Sequence, residues 1–212
     1  GSAVQDFMHP ERIVVGARTE RDRQALLELL SPLTDRIEWM SVEAAEMTKH
    51  AINAFLAASV VFANEIASLC ESVGADAKEV ERGLKSDRRI GTRAYLAPGG
   101  AFSGGTLARD VAFLNEISRG RGVTTPLLSS ILASNELHKS WVQRHLQTSF
   151  ADLAGATVAV WGLAYKPGTD TLRRSMAVEL CDWMIGEGVT VRVHDPMVKD
   201  LPQRWTDRVT RY

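Results

Sequence analysis

A helical middle followed by a parallel α/β unit is the fold class this sequence predicts, and three observations predict it. Residues 42–71 contain no proline or glycine, and Ile52, Phe55, Ser59, Phe62, Ile66 and Leu69 recur there at helical spacing. The runs ATVAVWGLAY and VTVRVHDP flank a helical segment over 175–186, which reads as a βαβ unit of doubly wound type. Between these blocks, AYLAPGGAFSGGTLARD (94–110) is a glycine-rich loop running into a helix start.

Taken in order, Arg12-Ile13-Val14-Val15-Gly16 reads as a short strand, and a charged helix follows over 20–30, closed by Pro32. A second short strand is expected at 36–40. Ser41 then caps the long helix, with Glu43 at its dipole-favoured end. Thirty residues of helix make a rod of about 45 Å, the length of a domain spine or subunit interface. A further helix at 76–85 ends in the charged turn Ser86-Asp87-Arg88-Arg89-Ile90-Gly91. Helices are expected at 107–119 and, as one piece, 126–148. Leu153-Ala154-Gly155 reads as a linker to the βαβ unit, which has Gly162 just past its first strand. The chain stops soon after the second strand, so the reading is a two-stranded fragment of something longer.

Composition narrows the function classes. Of 212 residues 45% are apolar and 24% charged, with a net charge of −1, which gives no field for a nucleic-acid or membrane partner. No apolar run reads as long as a membrane span, and no signal peptide is visible, so a cytoplasmic protein is the expectation. Cys70 and Cys181 lie in apolar helical patterns and read as buried thiols, with no disulfide framework. The five histidines show no metal-ligand spacing, so no metal is expected.

Several residues carry candidate chemistry, each with a plainer alternative. Gly99, Gly100, Gly104 and Gly105 would allow positive φ and close approach of a ligand to the main chain, ahead of helix N–H groups suited to an anionic or hydroxylated ligand. Most such loops are only turns. Lys49 and Asn53 sit one turn apart at the edge of the apolar stripe. A lysine there could stabilise an oxyanion or act as a base, and the asparagine could orient water; the alternative is an exposed lysine and a capping-type asparagine. Asp110 shares a helix face with Thr106, or is simply a first-turn carboxylate. Arg89 is a phosphate or sugar clamp, or a surface charge. Gly162-Leu163-Ala164-Tyr165-Lys166-Pro167-Gly168-Thr169-Asp170 follows a strand, where open α/β sheets bind ligands, or is a connector with a Pro-Gly turn.

In this order and spacing the motifs resemble the nucleotide-sugar dehydrogenases, the UDP-glucose and GDP-mannose 6-dehydrogenase family. AEMTKHAINAFLA and FANEIASLCE within 45–71 look like its central helix. SDRRIG (86–91) and YLAPGGAFSGGTLARD (95–110) look like its substrate loop. VAVWGLAYKPGTDTLRRS (158–175) looks like the opening of its nucleotide-binding domain, and GSAVQDFMHPERIVVG (1–16) is similar to the end of its first domain, so Gly1 and Ser2 need not be foreign to the chain. The resemblance implies three parts: a remnant of an N-terminal NAD-binding Rossmann domain at 1–40, a helical dimerisation domain at 41–150, and part of a Rossmann-like nucleotide-sugar-binding domain at 151–212. The fingerprint GxGxxG is absent. A truncated piece, a split gene or an incomplete coding sequence would each give this pattern.

Position by position, the resemblance implies Lys49 as catalytic lysine, Asn53 as water- or oxyanion-orienting amide, and Asp110 as their partner. It implies Arg89 reaching the sugar nucleotide across a homodimer built on the 42–71 helix. Tyr95 and the wall Ala97, Pro98, Gly99, Gly100, Ala101, Phe102 and Ser103 would face the sugar, and Tyr165 and Lys166 would also contact substrate. Thr106, Arg109 and Arg173 would touch NAD. One departure matters: Thr106 stands where the family carries its nucleophilic cysteine. A thiolate is a far better nucleophile than an unactivated hydroxyl, so the second of the family's two oxidations is not expected. Arg109 replaces a lysine and keeps the charge; Ala108 replaces a proline. The function implied is NAD-dependent oxidation of the C6 alcohol of a nucleotide sugar, in polysaccharide biosynthesis. The alternative is a non-catalytic nucleotide-sugar-binding or dimerising module of the same fold. A 6-phosphogluconate-type hydroxyacid dehydrogenase fits less well, because of GLAYKPGTD.

Overall fold

A computed structural model describes residues 3–103 and 105–212, so Gly1, Ser2 and Gly104 lie outside the described residues. The chain separates into two units, Gly1–Asn53 and Ala54–Tyr212, each described by itself. The first contains α1 (Ala3–Met8), β1 (Ile13–Gly16), α2 (Glu20–Leu30) and β2 (Ile37–Met40). β1 and β2 pair in parallel, from Ile13 opposite Ile37 to Gly16 opposite Met40. Thr19 and Asp22 form a capping box at the start of α2. A Cβ at Gly16 would sit 2.6 Å from the Cα of Val42, so a side chain there would strike the backbone of the following helix. Ser41 opens that helix by accepting from the Ala44 N–H at 3.2 Å.

The long helix α3 (Val42–Val73) runs from the first unit into the second. Contrary to the sequence expectation, by length and composition it is apolar enough to cross a membrane. Its second half is the spine of a helical core. Ala54 and Ala57 are buried with Val111 and Leu114 of α5 (Thr106–Arg121) and Ile131 of α6 (Pro126–Lys139). Alanines on the spine let the neighbouring helices pack against its backbone. α4 (Ala77–Ser86) is capped by Asp76, whose carboxylate accepts from the Lys78 and Glu79 N–H groups. α5 stops at Gly122 in the left-handed region, and Pro126 occupies the first turn of α6.

Two expectations about elements are corrected. The single helix expected over 126–148 is broken at Ser140 into α6 and α7 (Trp141–Ser149). The break brings the Trp141 indole N–H to both oxygens of Glu71 at 3.1 Å, with His145 Nε2 at 3.2 Å from the same carboxylate. No local signal encodes that bend, because the partner is 70 residues away. The expected two-stranded unit has a third strand: β3 (Thr157–Trp161), β4 (Thr190–His194) and β5 (Val209–Arg211) form a parallel sheet in that order. Val191 and Val193 face inward on β4 while Thr190, Arg192 and His194 face out, the two-residue period of a strand. α8 (Met176–Gly186) contributes Val178, Cys181 and Met184 to the core beneath. A 3₁₀ turn (Gln203–Trp205) adds the buried Trp205, whose indole donates to Asp182 at 2.7 Å.

Candidate functional site

The glycine loop begins where α4 ends. Gly91, at φ 85°, turns the chain after the SDRRIG segment. Within that segment Arg89 grips Asp87 with two hydrogen bonds, Nε to Oδ1 at 3.1 Å and Nη2 to Oδ2 at 2.8 Å. The pair holds the Asp87 carboxyl below its ordinary range and lifts the guanidinium above its own. Beyond it, Gly99, Gly100 and Gly105 do not take positive φ, which corrects the expectation drawn from glycine chemistry; Gly104 lies outside the described residues. A Cβ on Gly99 or Gly100 would meet nothing of the chain itself, so the missing side chains leave open space. At Gly105 a Cβ would stand 2.6 Å from the Tyr165 hydroxyl. Close approach of a tyrosine is the reason for glycine there.

Side chains from two helices hold the loop. The Gly99 N–H donates to Asn64 Oδ1 on α3 at 2.9 Å, and His138 Nε2 on α6 lies 2.8 Å from the Gly99 carbonyl. Asn135 on α6 accepts from the Phe102 N–H at 2.9 Å and donates to the Phe102 carbonyl at 2.8 Å. The Phe102 ring packs against the helical core. The loop then enters α5, whose N-cap Gly105 provides no side-chain cap. Thr106 is exposed as the first helical residue, on the positive end of the dipole. One turn on, Asp110 is 1% exposed, with Arg109 Nε 3.6 Å from its Oδ1.

The second loop leaves β3 through Gly162 at φ 91°. Asp195, just past β4, organises it: Oδ2 accepts from the Leu163 and Ala164 N–H groups at 2.7 and 2.9 Å. Oδ1 accepts from Met197 and Val198 at 2.8 and 3.2 Å. These amides, that of Leu163 foremost, outweigh the opposing effect of burial and hold the carboxyl at about 2. The Tyr165 N–H closes the loop onto the Thr171 carbonyl at 2.8 Å, with Gly168 at φ 75° in between. The outcome is a cavity of about 370 Å³ in which Ala101, Phe102 and Ser103 of the first loop face Tyr165, Lys166 and Arg174 of the second.

The structure therefore brings Ala101, Phe102, Ser103, Tyr165 and Lys166 together, with Gly100 in an adjoining cavity of about 260 Å³ beside His138 and Trp141. Arg173 is exposed and is not among the residues lining the 370 Å³ cavity, where Arg174 at φ 62° takes a place instead. Lys49 is exposed and Asn53 half-buried, both in the first unit; Asp110 belongs to the second. Among the described residues no three His, Cys, Asp or Glu side chains are grouped to hold a metal ion. Sequence reading missed Asn64, Asn135, His138 and Asp195. Only Asp195 left a trace, as a carboxylate followed by proline at a strand end.

Residues 43–137 match the central domain of the UDP-glucose/GDP-mannose dehydrogenase family, and residues 159–212 match its UDP binding domain. UDP-glucose 6-dehydrogenase of Rickettsia bellii is 37% identical over 208 residues, 96% of this chain and 48% of the relative. The chain belongs to the UDP-glucose/GDP-mannose dehydrogenase family. The Pseudomonas aeruginosa UDP-glucose 6-dehydrogenase is also 37% identical, over 93% of this chain and 44% of its own length. A UDP-glucose dehydrogenase structure from Pyrobaculum islandicum superposes with a TM-score of 0.89 at 33% identity, covering 100% of this chain and 49% of that one. The chain thus spans about half the length of the curated relatives it matches. The glycine loop falls in the central-domain match and the Tyr165 loop in the UDP-binding match, so the 370 Å³ cavity lies where two family domains meet.

Proposed function

We propose that this chain forms the nucleotide-sugar side of an oxidoreductase acting on the C6 alcohol of UDP-glucose, GDP-mannose or a related sugar nucleotide. The observation that carries this reading is the shared cavity, with Tyr165 closed down on the Gly105 backbone and Lys166 beside it. Lys166 and Arg174 supply charge for a diphosphate, and the open faces of Gly99 and Gly100 leave room for a sugar. The division proposed is a first-domain remnant at 1–40, a helical domain at 41–150 and a nucleotide-binding part at 151–212. A homodimer through the 42–71 helix is supported by Phe55, Phe62 and Leu69, exposed at 72%, 46% and 61% and spaced every seven residues.

From the family resemblance we assign Lys49 to the developing oxyanion, Asn53 to a water or hydroxyl, and Asp110 to a proton-holding role. NAD is the oxidant the family implies, with Thr106, Arg109 and Arg173 as its contacts here. Its pyrophosphate does not fit the turn between β1 and α2. There is no GxGxxG, and the α2 N-terminus is already capped by Thr19 and Asp22, with Glu20 adding a second carboxylate. What the chain itself does is bind and orient the sugar nucleotide.

Thr106 sets the extent of reaction. At a helix N-terminus a cysteine would be stabilised as thiolate, whereas a threonine hydroxyl stays protonated and can only hydrogen-bond the aldehyde or its hydrate. Oxidation is therefore proposed to stop at the aldehyde. Calorimetric titration with UDP-glucose and GDP-mannose tests the binding: saturable binding, weakened about tenfold by Tyr165→Ala, is expected, and none with either nucleotide overturns the reading. With NAD supplied to the protein that carries this chain, at most one NADH per sugar is expected, and two from the unaltered Thr106 form would refute the aldehyde stop. No NADH with sugar nucleotide still bound would favour the binding-module alternative, to which threonine in the cysteine position also points.

A further inference from the structure

We propose that Asn64 and Asn135 are positioning residues that set the main chain of the glycine loop, with His138 as a third anchor. The role assigned to that loop rests on the nucleotide-sugar reading above; the clamp itself rests on geometry.

Both asparagines are almost fully buried, at 2% and 5% exposure, and they line one side of a cavity of about 410 Å³ with Ser68, Ser134 and His138, next to the aliphatic core of α3, α5 and α6. An amide buried this far must find hydrogen-bond partners within the fold. Asn135 finds both within one residue, accepting from and donating to the Phe102 peptide. It copies the pairing of a neighbouring strand, which lets a segment with no strand beside it hold a fixed height over the helices. Asn64 is used differently. Its Oδ1 accepts from Gly99, while its Nδ2 finds no hydrogen-bond partner among the described residues. An amide that leaves a buried donor unsatisfied is there for its acceptor, and that acceptor serves the loop.

The anchors are arranged at the two ends of the segment that matters. Gly99 is held through its N–H by Asn64 and through its carbonyl by His138, and Phe102 through both of its peptide groups and its ring. Gly100 and Ala101 are suspended between them, facing the cavities of about 260 and 370 Å³. Glycine pairs are conformationally free, so without fixed ends this segment would sample many heights relative to Tyr165 and Lys166. Displacements on the order of 1 Å at a positioning wall change ligand affinity and turnover strongly.

The experiment compares amide hydrogen exchange and UDP-glucose affinity in the full chain and its variants. Asn64→Leu removes the acceptor, and Asn64→Asp keeps it while deleting the unpaired donor. Asn64→Leu is expected to speed exchange of the Gly99 amide by about tenfold or more, and Asn135→Leu to do so at Phe102, with UDP-glucose affinity falling in parallel. Asn64→Asp is expected to keep Gly99 protected. The amides of Cys181 and Met184, in the separate core beneath the sheet, report whether each variant is folded. If a leucine variant loses that protection, Asn64→Ser, too short to reach Gly99, is read in its place. Gly99 exchange within twofold of the unaltered chain overturns the clamp, as does loosened exchange with unchanged affinity in a chain that binds UDP-glucose. Absence of UDP-glucose binding in the unaltered chain would sink the functional reading alone, and the exchange rates would still decide the clamp.

Discussion

Asp195→Asn is the substitution whose cost can be worked most directly from the structure. The carboxylate is 7% exposed and accepts four backbone N–H groups, two on each oxygen. An asparagine fits the same space but has one acceptor. Its oxygen can serve the Leu163 and Ala164 pair or the Met197 and Val198 pair, and its NH₂ must then point at the other two donors. Leu163 and Val198 are 1% and 2% exposed, so at least one deeply buried N–H is left facing a donor. With buried unsatisfied groups at roughly 1–3 kcal/mol each, the expected loss is about 3 kcal/mol at pH 7. Acid then provides a second measurement. Asp195 is depressed from 3.8 to about 2 in the folded chain, so its contribution is fully present above 3.8 and drains away as pH falls toward 2. That contribution is at most about 2.5 kcal/mol, and the asparagine variant lacks it at every pH. Denaturant unfolding of both proteins from pH 7 to pH 2 should show a gap that narrows below pH 4. A gap under about 0.5 kcal/mol at pH 7, or one that stays constant into acid, would refute the reasoning.

Three further outcomes are expected. Gly105→Ala should displace the flexible Tyr165 hydroxyl and not the backbone, weakening UDP-glucose binding by up to about tenfold in calorimetry while the melting temperature stays put. Gly16→Ala drives a Cβ against the Val42 backbone and should destabilise the first unit by about 2 kcal/mol, read by thermal unfolding; an unchanged midpoint would count against that close approach. The Cys181 thiol, pushed up to about 12 by burial and then by the Asp182 charge, should stay unreactive toward a disulfide reagent at pH 8 until the chain unfolds.

Much of the architecture was legible before any coordinates. The limits of α2, the start of α3 with its cap Ser41, and the parallel pairing of β3 with β4 are written in local patterns, because caps and periodicities act over three or four residues. The motifs that resemble the dehydrogenase family were equally plain, since each is contiguous. Other features were decided only in three dimensions. The helix break at Ser140 follows from a carboxylate on α3, and β5 exists because Val209 finds Val191. Asn64 and Asn135 looked like ordinary polar residues on helices, and their targets lie 35 and 33 residues away in sequence. The glycines of the loop behave likewise: chemistry allows positive φ, but the tertiary contacts at Gly105 and the open space at Gly99 and Gly100 determine what they are for. Short-range preferences choose the elements of this protein, whereas the height and shape of its ligand loop depend on side chains that only folding brings near.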